Sequence, residues 1–122
     1  MIHTIYSIKK QLRSGIISLG LPIYYDTKPA SATGNCIVIS HMAISKNNVE
    51  SFNDIVIFIY IDKISDMENS KIISTYCIAI SEILRTFKAS EGYIHFNEEQ
   101  EPETTNMKDQ TVTTYVFRTI SN

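Results

Sequence analysis

Apolar positions along this chain follow two rhythms, and the changes between them mark the elements. Ile5, Ile8, Leu12, Ile16 and Leu19 recur at steps of three and four, which gathers them into one stripe on a 3.6-residue helix. Lys9, Lys10 and Arg13 fall outside that stripe and are expected to face water. Gly20 followed by Leu21-Pro22 supplies a stop, because glycine accepts the left-handed backbone just past a helix and proline cannot continue one. A helix is predicted over about residues 3 to 19.

The rhythm then shortens. IYYD (23–26), CIVISHMAI (36–44) and FNDIVIFIYID (52–62) read as strands, joined by the polar stretches TKPASATGN (27–35) and KNNVES (46–51). Neither link has room for a helical crossover, so the three strands are expected to form a meander. Ser65-Asp66-Met67-Glu68 matches a capping box, in which the Ser hydroxyl accepts from the Glu amide and the Glu side chain reaches back to the Ser amide. Behind it, Ile72, Ile73, Tyr76, Ile80, Ile83, Leu84 and Phe87 form a wide stripe, predicting a helix over about residues 66 to 88. GYIHFNE (92–98) and TVTTYVFRTI (111–120) read as closing strands. The EEQEPETTNMKDQ stretch that joins them has only Met107 as an apolar anchor, and reads as an acidic loop. No internal repeat is present.

The order α-β-β-β-α-β-β, with two helices of one stripe each, predicts an α+β fold: an antiparallel sheet with both helices packed on one face. The strand 52–62 then poses a problem. From Ile55 to Ile61 it has no polar residue, so both of its faces are apolar, and the helices cover only one. The other face is expected either to be closed by the sheet curling over its own last strands or to meet another subunit.

Composition narrows the classes. A chain of 122 residues suits one domain, residues 1–122, and buries roughly 65 to 70% of its unfolded surface without metals or disulfides. Its 11 Lys and Arg against 13 Asp and Glu leave a formal net charge of -2. That argues against a protein that holds nucleic acid by neutralising phosphates. Cys36 and Cys77 show no CxxC or Cys/His spacing and read as buried thiols in a reducing compartment. MIHTIYSIKKQLRSG lacks the apolar stretch of a signal peptide, and no run approaches the ~20 apolar residues of a membrane span. A soluble protein made in the cytosol, without membrane contact, is expected.

Candidate chemistry is sparse. His3, His41 and His95 are the acid–base candidates, but a catalytic histidine needs an orienting partner. His41 has no acidic neighbour within its strand, and His95 lies between Ile94 and Phe96. Nothing in the spacing supports a thiol–imidazole pair with Cys77. The 4 glycines form neither GxGxxG nor a P-loop. Glu98, Glu99, Glu101 and Glu103 lack the alternating Asp/Asn ligands and turn glycine of a calcium loop. Tyr24, Tyr25, Tyr60, Tyr93 and Tyr115 are not interleaved with basic residues as nucleic-acid stacking platforms are, and suit packing and interface contact. No catalytic, cofactor-binding or metal-binding residue is therefore assigned, no small-molecule substrate is expected, and an enzyme is not the reading.

The whole order of elements carries a resemblance. An amphipathic helix leads to the aromatic strand IYYD and a polar loop holding Pro29. CIVIS and the long FIYIDK strand follow, then a capped helix and two strands ending in YVFRTI. Over nearly the full chain this resembles the tail-terminator (tail-completion), minor tail and neck proteins of tailed phages and prophages. There are departures: Gly34-Asn35-Cys36 stands where many members open the second strand with a Pro-aromatic pair, and Tyr60 where a Trp is frequent. Terminator and other head–tail connector rings both stay open.

The resemblance implies a structural virion protein without a catalytic site or cofactor, made in the bacterial host cytoplasm. It implies a homo-oligomeric ring, typically hexameric, that caps the tail tube and joins it to the neck and head-completion proteins while DNA passes through the lumen. On that reading Tyr24, Tyr25, Lys28, Pro29, Val56, Phe58 and Tyr60 are the expected subunit or partner contacts. Glu98, Glu99, Glu101 and Glu103 are expected to face the lumen or a partner. The alternative is a small homodimeric adaptor or secretion-type chaperone that binds a protein client on the same sheet face.

Overall fold

Helix α1 (Ile2–Ile16) runs into a 3-10 turn, Ile17–Leu19, and ends at Gly20, whose φ of 81° is left-handed. In the computed structural model, which describes residues 2–46, 51–85, 94–99 and 101–121, helix α2 spans Asp66–Arg85. The last turn expected for it, up to residue 88, lies outside the described residues. The Ser65 hydroxyl accepts from the Glu68 amide at 3.2 Å, as a capping box requires. Its returning half is supplied by another residue. The Ser65 and Ile64 amides donate to Asn69 Oδ1 at 3.2 and 2.8 Å, while Glu68 stays exposed, 3.9 Å from Lys71. Asn69 Nδ2 also donates to the Asp62 carbonyl at 3.0 Å and to Thr111 Oγ1 at 3.3 Å. An amide both accepts and donates, and burying it in place of the Glu carboxylate avoids desolvating a charge.

The strands are β1 (Ile23–Tyr25), β2 (Cys36–Lys46), β3 (Ser51–Asp62), β4 (Ile94–Glu99), β5 (Glu103–Asn106) and β6 (Gln110–Ser121). They form one sheet in the order β1-β2-β3-β6-β4, with β5 also on β6. Two expectations are corrected here. β1 pairs parallel with β2, so the first three strands are not a meander. β1 has only 3 residues, roughly 10 Å of strand, and the loop 26–35 can return the chain past it without a helix. The other pairings are antiparallel. Second, the acidic connection is not all loop, because β5 forms inside it. Thr104 and Thr105 pair with Thr113 and Val112, and β-branched residues suit such a pleat. Pro102, with no amide hydrogen to donate, separates β4 from β5.

Both helices pack on one face. Ile37 and Ile39 from β2 meet Ile55, Ile57, Ile59 and Ile61 from β3, all 0% exposed. Tyr115 and Phe117 from β6 stack in the same cluster with ring centroids 4.4 Å apart. Leu12 and Ile16 of α1 and Cys77 and Ile80 of α2 close it from above. The helices approach so closely at Gly15 that a Cβ there would lie 2.9 Å from Ile83 Cγ2.

Lys9 departs from the expected pattern. It is buried at 5% exposure rather than facing water, whereas Lys10 and Arg13 are exposed. Its Nζ donates to Asp26 Oδ1 at 2.5 Å and sits 3.1 Å from His41 Nδ1. The apolar stem of a lysine can line a core provided its ammonium finds partners, and here the Tyr25 ring lies beneath it at 5.9 Å.

Candidate functional site

With the odd-numbered residues of the central strands turned to the helices, the even-numbered ones make the outer face. Cross-strand register sets them in rows: Cys36, Tyr60 and Val112; Val38, Phe58 and Thr114; Ser40, Val56 and Val116; Met42, Asp54 and Arg118. Tyr24 stands beside Val38 in the parallel pair. Cys36, Val38 and Val56 are buried, whereas Phe58 and Tyr60 are half-buried.

The loop 26–35 covers one end of this face. Lys28 leaves the β1 edge, and its Nζ donates to Gln110 Oε1 on β6 at 2.8 Å. Since β2 and β3 lie between β1 and β6, the loop passes over both, and the Lys28 ammonium rests 4.8 Å from the Tyr60 ring. Gln110 Nε2 donates to the Gly34 carbonyl at 2.9 Å and to Asp62 Oδ1 at 3.0 Å. At the opposite end Arg118 Nε donates to Asp54 Oδ1 at 3.2 Å, a cross-strand ion pair. An apolar middle is thus framed by two polar ends.

The site's electrostatics do not favour reaction chemistry. Burial pushes the Cys36 thiol up, with the Lys28 charge pulling it part of the way back, so the thiolate nucleophile is scarce at neutral pH. Burial likewise raises Tyr60, and the nearby Cys36 adds to it. Cys77 is raised by burial alone. On the helix side, burial lowers His41 first, the Lys9 charge lowers it further, and Asp26 opposes both. The tertiary fold gives His41 the acidic neighbour that its own strand lacks, at 3.9 Å, but the adjacent ammonium keeps the ring from acting as a ready base. No cluster of three metal-ligating side chains occurs among the described residues.

A groove of about 770 Å³ runs between α2 and β5, lined by Ile64, Asn69, Ile73, Cys77, Thr104 and Thr111 among others. Its buried polar groups, Asn69 and Thr111, bond to each other.

The structure gathers Tyr24, Lys28, Val56, Phe58 and Tyr60 on the outer face, five of the seven residues expected to make contacts. Tyr25 lies on the helix face, packed against the core, because adjacent residues of a strand point oppositely. Pro29 is exposed on the loop. Glu101 and Glu103 are exposed at the β5 edge. Glu98 and Glu99 belong to β4, where Glu98 is in register with Arg118, and their side chains lie outside the described residues. So do those of His3 and His95. Gln110 and the burial of Lys9 carry no sequence signal of their own, since their partners sit far away along the chain. Asn69 bonds to its near neighbours Asp62, Ile64 and Ser65, but the Ser-x-x-Glu pattern pointed to Glu68 in its place.

This layout, a mixed sheet with two helices on one face and an apolar outer face, defines an α+β fold. No protein-family model matches the sequence, and neither does any curated protein. Solved structures do share the fold. A chain from the virion of a native gene transfer agent particle is similar with a TM-score of 0.67 and 16% identity, over 95% of this chain and 92% of that one. A second solved protein, whose name states no function, is similar with a TM-score of 0.69 and 7% identity, over 96% of this chain and 92% of that one. At such identities the likeness is one of fold. No helix among the described residues is long and apolar enough to cross a membrane.

Proposed function

We propose that this chain is a structural protein of a phage or prophage particle: a tail-terminator or head–tail connector subunit, one terminator-like domain over residues 1–122. The observation that carries this reading is the near-full-length fold likeness to a chain of a gene transfer agent virion. The outer face supports it, because a ring subunit needs two different lateral surfaces that meet head-to-tail. Half-buried Tyr24, Phe58 and Val116, set around the buried Val38 and Val56, supply one such surface, and it is apolar. Tyrosine and phenylalanine are favoured in such contacts.

On this proposal the subunits form a ring, hexameric by the resemblance, that caps the tail tube and meets the neck. DNA crosses the lumen without being held. Glu101 and Glu103, exposed on the β4–β5 edge with Glu98 and Glu99 in the same segment, supply negative charge that would repel the phosphate backbone. The particle is the site of action, and the chain carries no catalytic role.

Native mass spectrometry over a concentration series, with negative-stain imaging at the highest concentration, tests the reading. Closed rings with a central hole, formed alone or on added tail tubes, support it. A two-fold dimer at every concentration, unchanged by tail tubes, would replace it with an adaptor that binds a protein client.

A further inference from the structure

The loop 26–35 is fastened in an unusual way. Its backbone enters through Asp26 at φ 67° and leaves through Gly34 at φ 79°, both left-handed. Between them, Thr27 to Thr33 include no large apolar side chain, and only Lys28 and Ala32 are partly covered. At its base the Asp62 amide donates to Asn35 Oδ1 at 2.7 Å, and across the sheet the Lys28 ammonium rests over the Tyr60 ring, but one side chain ties the two ends of the strap together. Gln110 accepts from Lys28 near the loop's start and donates to the Gly34 carbonyl at its end. Beneath lies the row of Cys36 and Tyr60, with Cys36 only 1% exposed.

We infer that residues 27–33 form a strap, clasped by Gln110, that opens to bare the Cys36–Tyr60 row while the sheet beneath stays folded. Segments that bury little apolar surface and hang on a few side-chain bonds open locally at far lower free energy than a β ladder. The β2–β3 ladder involves neither Lys28 nor Gln110, and in the β3–β6 ladder Gln110 pairs with Asp62 as a strand residue, independently of its side-chain clasp. The two left-handed residues are the places where the chain already turns sharply out of the sheet, so they serve as its hinges. The opened row is continuous with Val38 and Phe58 in the next row, which enlarges the apolar face offered to a second copy. That last clause rests on the ring reading, whereas the opening itself does not.

Cys36 reports the opening and Cys77 is its internal control, since both are buried thiols and only Cys36 lies under the strap. The experiment is alkylation of the isolated folded chain by iodoacetamide, with each cysteine followed by peptide mass mapping. Gln110→Ala should speed modification of Cys36 by on the order of tenfold, the weight of a lost pair of hydrogen bonds, and leave Cys77 unchanged. Lys28→Met should act in the same direction. Losing that charge raises the Cys36 pKa and by itself slows the reaction, so any acceleration there is an effect of opening. If neither variant speeds Cys36, or if both speed Cys36 and Cys77 alike through global unfolding, the strap is overturned. Because no assembly is measured, failure here is separate from failure to form rings.

Discussion

The ammonium of Lys9 stands 3.1 Å from Nδ1 of His41, and this part-buried contact ties α1 to the sheet. Neutral His41 can accept a hydrogen from Lys9, whereas protonated His41 cannot and would set a second cation against the first. Its pKa in the folded chain is accordingly below the ordinary 6.5, from burial and then Lys9, against the pull of Asp26. The unfolded chain therefore takes up this proton first as the pH falls. Stability from this group is complete above about pH 6.5 and is lost progressively below it. The urea midpoint should drop between about pH 7.5 and pH 5.5, and His41→Asn should flatten that slope. An equal slope in the variant would assign the pH dependence to other groups.

The two faces of β3 should answer a buried charge differently. Ile57 is 0% exposed in the helix-covered core, while Phe58 is half-buried on the outer face. Ile57→Asp should unfold the subunit, as an unpaired buried charge removes about 3 to 5 kcal/mol. Phe58→Asp should keep the circular dichroism of the parent yet fail to assemble. A Phe58→Asp chain that still forms rings would remove this face from the contact.

At the start of α2 the important side chain is Asn69 and not Glu68. Asn69→Ala loses an acceptor shared by two amides and donors to Asp62 and Thr111, and should lower stability by about 2 to 3 kcal/mol. Glu68→Ala removes only an exposed carboxylate and should stay within about 0.5 kcal/mol of the parent. Chemical denaturation of the two variants side by side is decisive, and equal losses would contradict the assignment.

Gly15 tests the seam between the helices. Alanine normally stabilises a helix interior over glycine by about 1 kcal/mol, yet a methyl here meets the stiff, β-branched Ile83 at 2.9 Å. Gly15→Ala should thus be destabilising by about 1 kcal/mol net, and Gly15→Val by more. A higher melting temperature for Gly15→Ala would mean that the helices are free to move apart.

Much of the architecture could be read along the chain because local rules decide it. The three-and-four spacing of Leu12 and Ile16, the stop at Gly20 and the Ser65 cap each depend on neighbours within a turn or two. The unbroken apolar run from Ile55 to Ile61 likewise announced a strand with two faces to cover, and the placing of Val56, Phe58 and Tyr60 together on one of them follows from its period of two. What sequence could not decide depends on partners distant in the chain. β1 turned parallel because a three-residue strand needs no helical crossover, and β5 formed because β6 offered it an edge. Lys9 went inside because Asp26, just past β1, and His41, in the middle of β2, converge on its ammonium. Gln110, an unremarkable polar residue at the head of β6, became a clasp only when the sheet order placed Lys28 and Gly34 within its reach. Periodicity belongs to the chain by itself. The pairing of charges and amides across tens of residues belongs to the fold, because hydrogen bonds require atoms within about 3 Å, and only tertiary packing brings these together.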